Sequence, residues 1–477
     1  LFNKKIGMVQ LYKEVFMDED LKELIDRARK AQAIVEHWSQ EQVDEMTLAA
    51  AWEAIRPESA KECAELAVKE TKMGVYDNKY AKHRNKCLGA LMDLEGVKTT
   101  GVVDEDREKG IFKVVKPVGV IFALIPCTNP TATPIVKGIS ALKTRNAIIM
   151  APHMVARRCT GKAIDFMRKG LEKAGAPVDL IQVLEKPFIE RNQMMMSAAD
   201  LIISTGGGGA VKAAYSSGKP AYGVGAGNSV AIVDETVNAA QAAEKIVASK
   251  TFDNATSCSA ENSAIIHESK WSEMLETFKK LGGYLCNDEE KAKLKAAMWP
   301  DGEHIEAKIV ARSAKVIADA AGLAAPDDVR FIMVLGKEPI AEEKFADEKL
   351  SPVMTLWKYS NFDGAIDMLR QIHGVRGEGH CCAIHTTDRS RMVKLAELAH
   401  VSRMMVNQPQ CLANSGAFTN GMPFTMTLGC GTWGGNISSD NITWKHMVNY
   451  TWVSEPTVEH KPDEEKIFKS IWDKYGK

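Results

Sequence analysis

The chain has 477 residues, of which 45% are hydrophobic and 26% are charged. This is the balance of a globular protein too long for one simple core, and it predicts two or three domains. A formal net charge of -1 excludes the basic surplus of a nucleic-acid binder, so any anionic ligand must be met by a few placed cations.

The first residues, Leu1 to Met8, lack the apolar segment and small-residue cleavage site of a secretory signal. Val9 to Phe16 is amphipathic, a pattern that permits a docking helix. From Asp18 to about residue 100 the apolar residues recur at helical spacing, with helices expected at Glu41–Ile55 and Pro57–Met73. The texture changes near Gly110. Ile111 to Pro126 is β-branched and strand-like, and its longest apolar run, Val114–Pro126, is broken by Pro117 and Gly119. No run is long enough to cross a bilayer, so no membrane partner is expected.

Strands then alternate with helices. Strands are predicted at 146–150, 180–184, 201–204 and 230–233, and helices at 157–174, 189–198 and 209–217. Such β-α-β alternation predicts an α/β fold with a parallel, doubly wound sheet. A second α/β region follows from about Thr236 to Phe424, with helices at 238–248 and 270–281 and strands at 353–357 and 381–385. The charged tail, 459–477, reads as a solvated helix.

Four stretches carry candidate chemistry. The turn Thr205-Gly-Gly-Gly-Gly follows a strand and opens a helix. It either offers backbone N–H groups to a phosphate or merely closes tightly. The full G-x-G-x-x-G spacing is absent, and no acidic residue stands clearly in the ribose position. Cys258 is one of ten cysteines, none in a C-x-x-C pair and none at zinc spacing, so no metal is expected. It sits in a hydroxyl-rich run, Thr251-Phe-Asp-Asn-Ala-Thr-Ser-Cys-Ser, where backbone N–H groups could polarise a thiol; the alternative is a small buried hydrophobe. Asn129, directly before Pro130, is either an Asn-Pro turn residue or an amide held to donate to an oxyanion. His380, in Arg376-Gly-Glu-Gly-His, is a turn residue, a general base or a coenzyme contact.

Taken together, these pieces resemble the aldehyde dehydrogenase superfamily, and within it the CoA-acylating branch. The matching stretches are Pro126-Cys-Thr-Asn-Pro-Thr, Ala141-Leu-Lys-Thr-Arg-Asn-Ala-Ile-Ile, Ala214-Tyr-Ser-Ser-Gly-Lys-Pro-Ala, Gly223-Val-Gly-Ala-Gly-Asn and Thr251-Phe-Asp-Asn. Lys349-Leu-Ser-Pro-Val, Gly379-His and Thr427-Leu-Gly-Cys-Gly-Thr-Trp-Gly-Gly-Asn follow, in family order. The resemblance implies a dinucleotide-binding domain over 1–232 with an oligomerisation hairpin at 106–118. It also implies a catalytic domain over 233–425, and a return to the cofactor domain plus an oligomerisation tail over 426–477. It implies that Cys258 is the nucleophile, with Asn129 and the Cys258 N–H as oxyanion hole. Thr205, Gly206, Gly207, Pro152, His153 and Gly225 would line the dinucleotide site, and Glu348 would hold the nicotinamide ribose. Hydrolytic members resemble one another in a Glu-Leu-Gly-Gly-Lys stretch whose glutamate activates water. Here the matching stretch, Val224 to Asn228, has no carboxylate, which favours coenzyme A over water as acyl acceptor.

The hydroxyls of Thr256, Ser257 and Ser259 beside Cys258 suit a small polar or anionic aldehyde, and the stretch is similar to that of acylating sulfoacetaldehyde dehydrogenases. Arg376, Lys358 and Arg403 are the cations expected to meet a sulfonate. Acetaldehyde is the alternative substrate, hydrolytic oxidation the alternative reaction, and a non-catalytic or packaged scaffold the alternative class. Arg157 and Arg158 lie where an adenosine 2′-phosphate would be received, which tilts the cofactor choice towards NADP over NAD. Scattered cysteines argue for a cytoplasmic protein. The N-terminal segment also permits packaging in a bacterial microcompartment, and the resemblance implies a homodimer or homotetramer.

Overall fold

The computed structural model describes residues 18–477. The Val9–Phe16 segment lies outside them. Four helices open the described chain: Glu19–Val35, Gln40–Ile55, Pro57–Thr71 and Tyr76–Met92. Ser39 and Gln42 form a capping box at the second, and Pro57 stands in the first turn of the third, where no N–H is needed.

An antiparallel hairpin follows, β1 (Val102–Asp106) and β2 (Ile111–Pro117). The next five strands form one parallel sheet: β3 (Val120–Ile125), β4 (Ala147–Pro152), β5 (Ile181–Val183), β6 (Leu201–Ser204) and β7 (Ala221–Gly223). Its order is β5-β4-β3-β6-β7. Every residue of β3, β4 and β6 is buried, which explains why these segments read as unbroken apolar runs without alternation. The chain steps from β3 outward to β4 and β5, then returns to the other side of β3 as β6. That reversal leaves a crevice at the carboxyl ends of β3 and β6, the usual ligand position in an open α/β sheet.

The second sheet is also parallel and has seven strands: β8 (Ser229–Val233), β9 (Glu261–His267), β10 (Gly283–Leu285), β11 (Phe331–Leu335), β12 (Val353–Tyr359), β13 (Cys382–His385) and β14 (Met404–Val406). Its order is β10-β11-β12-β9-β8-β13-β14. Because β8 pairs with β9 and β13, the chain passes between sheets at 224–228, ahead of the boundary at 232 read from the sequence. Finally β15 (Val448–Ser454) pairs with β2 from Val448↔Pro117 to Ser454↔Ile111. The hairpin thus spans 102–117, wider than the expected 106–118, and belongs to a three-stranded sheet. The tail forms a helix at Glu464–Tyr475 with no buried residue. No helix among the described residues is long and apolar enough to cross a membrane.

Candidate active site

The loops that lead into β8, β9, β12 and β13 converge at the amino ends of these neighbouring parallel strands of the second sheet. They carry Gly227, Cys258, Glu348 and His380. The loop leaving β3 carries Asn129, and two ammonium groups tie the two sheets together there: Lys79 Nζ donates to Thr128 O at 2.6 Å and lies 2.9 Å from Asp253 Oδ2. Lys82 Nζ donates to Asn129 Oδ1 at 2.6 Å, to Asp253 Oδ2 at 2.7 Å and to Thr256 Oγ1 at 3.1 Å.

This bond fixes the Asn129 amide. With Oδ1 accepting from Lys82, Nδ2 is left to donate into the cavity that Asn129 lines. Among the described residues nothing accepts from the Cys258 N–H. A carbonyl oxygen placed between these two donors would have its developing negative charge stabilised by both.

The loop that carries Cys258 is bent sharply before it. Asp253, Asn254 and Ala255 all have φ between 52° and 55°, a left-handed run that strains side-chain-bearing residues. Polar anchors hold it. Asp253 Oδ1 accepts from Val75 N at 2.9 Å, Asp253 N donates to Asn78 Oδ1 at 2.9 Å, and Lys79 Nζ lies 2.9 Å from Asp253 Oδ2. Burial works against the Asp253 carboxylate, but the Lys82 and Lys79 charges outweigh it and hold its pKa at about 2. Gly227 passes directly beneath: a Cβ there would stand 2.0 Å from the Cys258 carbonyl oxygen, so no other residue fits.

His380 meets the Cys258 thiol, with Nε2 3.1 Å from Sγ. Its position depends on Gly379, whose φ is +84° and whose missing Cβ would lie 2.0 Å from the Cys430 carbonyl oxygen. His380 Nδ1 is 3.0 Å from Cys381 Sγ, and Cys381 Sγ is 2.9 Å from Ser229 Oγ. Ser229 Oγ donates to the Cys258 carbonyl at 3.3 Å. The Ser229 hydroxyl has one hydrogen, and that bond uses it. Cys381 must therefore donate its S–H to Ser229 and accept from His380 Nδ1–H. The Nε2 lone pair is then turned towards the Cys258 thiol, ready to take its proton.

Desolvation, the Arg403 charge and His373 lower the His380 pKa to about 3, so the imidazole is neutral. Desolvation, then the nearby Glu348 carboxyl, push the Cys258 thiol well above its ordinary range, opposed by Arg403. The resting pair is thiol and neutral imidazole, and the proton moves as sulfur attacks. Glu348 is itself raised to about 8, chiefly by desolvation and against the pull of Arg376, so it holds its proton at neutral pH. A protonated carboxyl cannot activate water. Val224, the position that the resemblance matches to the glutamate of hydrolytic members, is 4% exposed and packs with Leu428 and Cys430 against Cys258.

The structure separates the remaining expected residues. Ser257 lines the cavity beside Asn129, whereas Thr256 bonds inward to Asp253 and Ser259 is buried against Ser257. None of the three expected sulfonate partners faces the cavity. Arg376 is ion-paired with Asp347, Lys358 lies on the surface over Trp271, and Arg403 bonds the carbonyls of His380, Gly429 and Ser439. Their charges were visible in sequence; their partners were not. The residues that reasoning missed are Lys79, Lys82 and Lys86. Their i, i+3, i+7 spacing puts all three on one face of the helix Tyr76–Met92, where each is buried.

The crevice residues fit a nicotinamide dinucleotide. Thr205 directly follows β6, and the turn after it opens the helix Gly208–Tyr215 with nothing near a Cβ added at Gly207, Gly208 or Gly209, leaving its N–H groups approachable by a phosphate. Pro152 ends β4 beside an exposed His153. Gly225 instead donates its N–H to Asn436 Oδ1 at 3.2 Å and packs near Cys430. Arg157 and Arg158 are exposed, but Glu70 caps their helix, accepting from Arg158 N at 2.9 Å and Cys159 N at 2.7 Å.

A profile of the Aldehyde dehydrogenase family matches residues 6–425. A sulfoacetaldehyde dehydrogenase of Acholeplasma sp is 47% identical over 448 residues, covering 93% of this chain and 92% of that one. The acylating sulfoacetaldehyde dehydrogenase of Bilophila wadsworthia is 46% identical over 459 residues, covering 95% and 99%. The crystal structure of an acetylating aldehyde dehydrogenase from Geobacillus thermoglucosidasius superposes with a TM-score of 0.90 at 35% identity, covering 93% of this chain and 98% of that one. A cysteine faced by a neutral imidazole, an amide held to meet an oxyanion and these matches along nearly the whole chain lead to one assignment: the chain belongs to the aldehyde dehydrogenase family.

Proposed function

We propose that this enzyme oxidises sulfoacetaldehyde and passes the acyl group from Cys258 to coenzyme A, giving sulfoacetyl-CoA. The Cys258 sulfur attacks the aldehyde carbon while His380 Nε2 takes the thiol proton. Asn129 Nδ2 and the Cys258 N–H stabilise the oxyanion of the thiohemiacetal. The nicotinamide, when bound between the Thr205–Gly207 turn and Glu348, supplies the hydride acceptor that leaves a thioester on Cys258. His380 releases the Cys258 proton to solvent, takes the proton of the incoming coenzyme A thiol, and returns it to the Cys258 sulfur as the acyl group passes to the coenzyme, regenerating the Cys258 thiol.

The observation that supports the choice of acceptor is Val224 against Cys258: the position matched to the water-activating glutamate holds no carboxylate, and the base that is present, His380, faces the thiol. The substrate rests on the two relatives named for sulfoacetaldehyde. The cofactor is NAD or NADP; the exposed Arg157 and Arg158 favour a 2′-phosphate, whereas the Glu70 carboxylate at the same helix start opposes it. The test is a panel of sulfoacetaldehyde, acetaldehyde and propionaldehyde, each with and without coenzyme A and with each dinucleotide. Full-rate oxidation without coenzyme A would end the acyl-transfer reading. A higher kcat/KM for acetaldehyde would replace the substrate with the second reading, which the likeness to an acetylating enzyme supports.

We further propose a homodimer or homotetramer in the cytoplasm. The three-stranded sheet exposes Tyr450 and Trp452, and the tail helix exposes Ile467, Phe468 and Ile471, apolar surface that a second subunit would cover. All ten cysteines are unpaired, as in a reducing compartment. Whether the enzyme is packaged in a microcompartment is read by co-purification with shell proteins.

A further inference from the structure

A cavity of about 290 Å³ opens beside Asn129 and Ser257 and is walled by Phe252, Phe418 and Phe424. Two ammonium groups line it, Lys82 and Lys86, and they are not equivalent. An ammonium has three N–H donors. Lys82 spends all three on Asn129, Asp253 and Thr256, and one of those partners is a carboxylate. Lys86 Nζ donates to two carbonyl oxygens, Leu412 O at 3.1 Å and Gly416 O at 2.5 Å, and among the described residues it has no carboxylate partner.

Lys86 is 9% exposed. A buried cation without a counter-ion is unfavourable unless something anionic arrives to pair with it. The surroundings add to its attraction for an anion. Lys79, behind the cavity lining, and Lys82 share the Asp253 carboxylate, so one of these two positive charges has no counter-ion of its own even before Lys86 is counted. The pattern is also oriented. Lys82 aims the Asn129 amide at the carbonyl oxygen, and Lys86 stands one helical turn further along, about 6 Å on. A short aldehyde with its carbonyl at Asn129 therefore presents its far end to Lys86.

We propose that Lys86, with its unspent N–H and uncompensated charge, receives the anionic end of the aldehyde and sets the preference for a sulfonate over an alkyl chain. Ser415, which also lines the cavity, would offer a hydroxyl to a second sulfonate oxygen. The Phe252 and Phe424 rings, whose centroids lie 5.5 Å from Lys82 Nζ and 5.7 Å from Lys86 Nζ, keep water from screening both charges. This replaces Arg376, Lys358 and Arg403 in that role, and it rests on the substrate class proposed above.

The full-length enzyme provides two independent readouts. In the first, kcat/KM is measured for sulfoacetaldehyde and propionaldehyde with coenzyme A, in the wild type, Lys86→Met and Lys86→Arg. The sulfoacetaldehyde-to-propionaldehyde ratio is expected to fall roughly thirtyfold to hundredfold in Lys86→Met, the worth of one desolvated charge-assisted contact, and to be largely kept in Lys86→Arg. Equal losses for both aldehydes would show that Lys86 only clamps Leu412 and Gly416, and would overturn the proposal.

The second readout needs no variant to fold. Ethanesulfonate is expected to protect wild-type Cys258 from iodoacetamide at least tenfold more effectively than the uncharged ethyl methyl sulfone. Equal protection by the two would overturn the proposal. The two claims fail separately. If ethanesulfonate protects selectively but acetaldehyde is the better substrate, the anion site stands and the substrate reading falls. If sulfoacetaldehyde is preferred and Lys86→Met keeps that preference, the substrate stands and Lys86 does not.

Discussion

Replacing Val224 with glutamate puts the acceptor argument at risk. Val224 packs with Leu428 and Cys430 against Cys258, so a carboxylate built there would lie beside the thioester. A well-placed general base is worth roughly 10²- to 10⁴-fold, about 3–5 kcal/mol of barrier at 1.36 kcal/mol per decade. Without coenzyme A, the wild type is expected to give one burst of reduced cofactor, stoichiometric with enzyme, and then to stall. Val224→Glu should instead turn over continuously. Its rate should rise with pH, because the base acts only when ionised, and the apolar site raises the pKa that must be crossed. The same burial should lower stability by roughly 1–3 kcal/mol, read as a drop in Tm. If Val224→Glu shows the burst, still transfers to coenzyme A and yet never turns over without it at neutral or alkaline pH, the missing carboxylate is not what spares the thioester from water.

Three further outcomes follow from the geometry. Cys381→Ala removes the acceptor that fixes the His380 tautomer, so kcat/KM should fall roughly tenfold and the pH profile of Cys258 alkylation should shift; Cys381→Ser should restore both, and identical alanine and serine variants would discard the proton chain. Asp253 has a folded pKa of about 2 against an ordinary 3.8, so its contribution is full above about pH 4 and is lost as pH falls towards 2. That depression is worth about 2 kcal/mol, and in urea titrations the wild type should lose it over this interval while Asp253→Asn does not. Trp452, 62% exposed on β15, should be covered in an oligomer, so Trp452→Glu should yield smaller species in sedimentation; unchanged sedimentation would move the interface elsewhere.

What the sequence displayed depends on how local the cause was. The strand at 201–204 and the helix at 189–198 fall where periodicity places them, because a buried parallel strand is an apolar run whatever surrounds it. The strand Val448–Ser454 gave no such sign. Most of its residues are exposed, and its partner lies more than 300 positions earlier. The nucleophile loop was legible as polar, but its meaning was not. Its hydroxyls read as a rim for substrate, yet Thr256 is occupied by Lys82 and Asp253 inside the fold. Ion pairing misled in the same way. Arg376 is claimed by Asp347, a partner that sequence does not display, while Lys86 is indistinguishable in sequence from the many lysines of an ordinary helix face.

The crossing of Gly227 beneath Cys258 has an evolutionary reading. Val224, which packs against Cys258 and is proposed to decide the acyl acceptor, and Gly227, which meets the Cys258 carbonyl, lie three residues apart on one ribbon. The ribbon cannot shift without dislodging the sulfur it supports. A lineage passing from thiol to water as acceptor must therefore keep this backbone still and exchange only the side chains it displays. Divergence here is confined to substitution, and insertions or deletions in 224–228 should be purged before any new reaction can be selected.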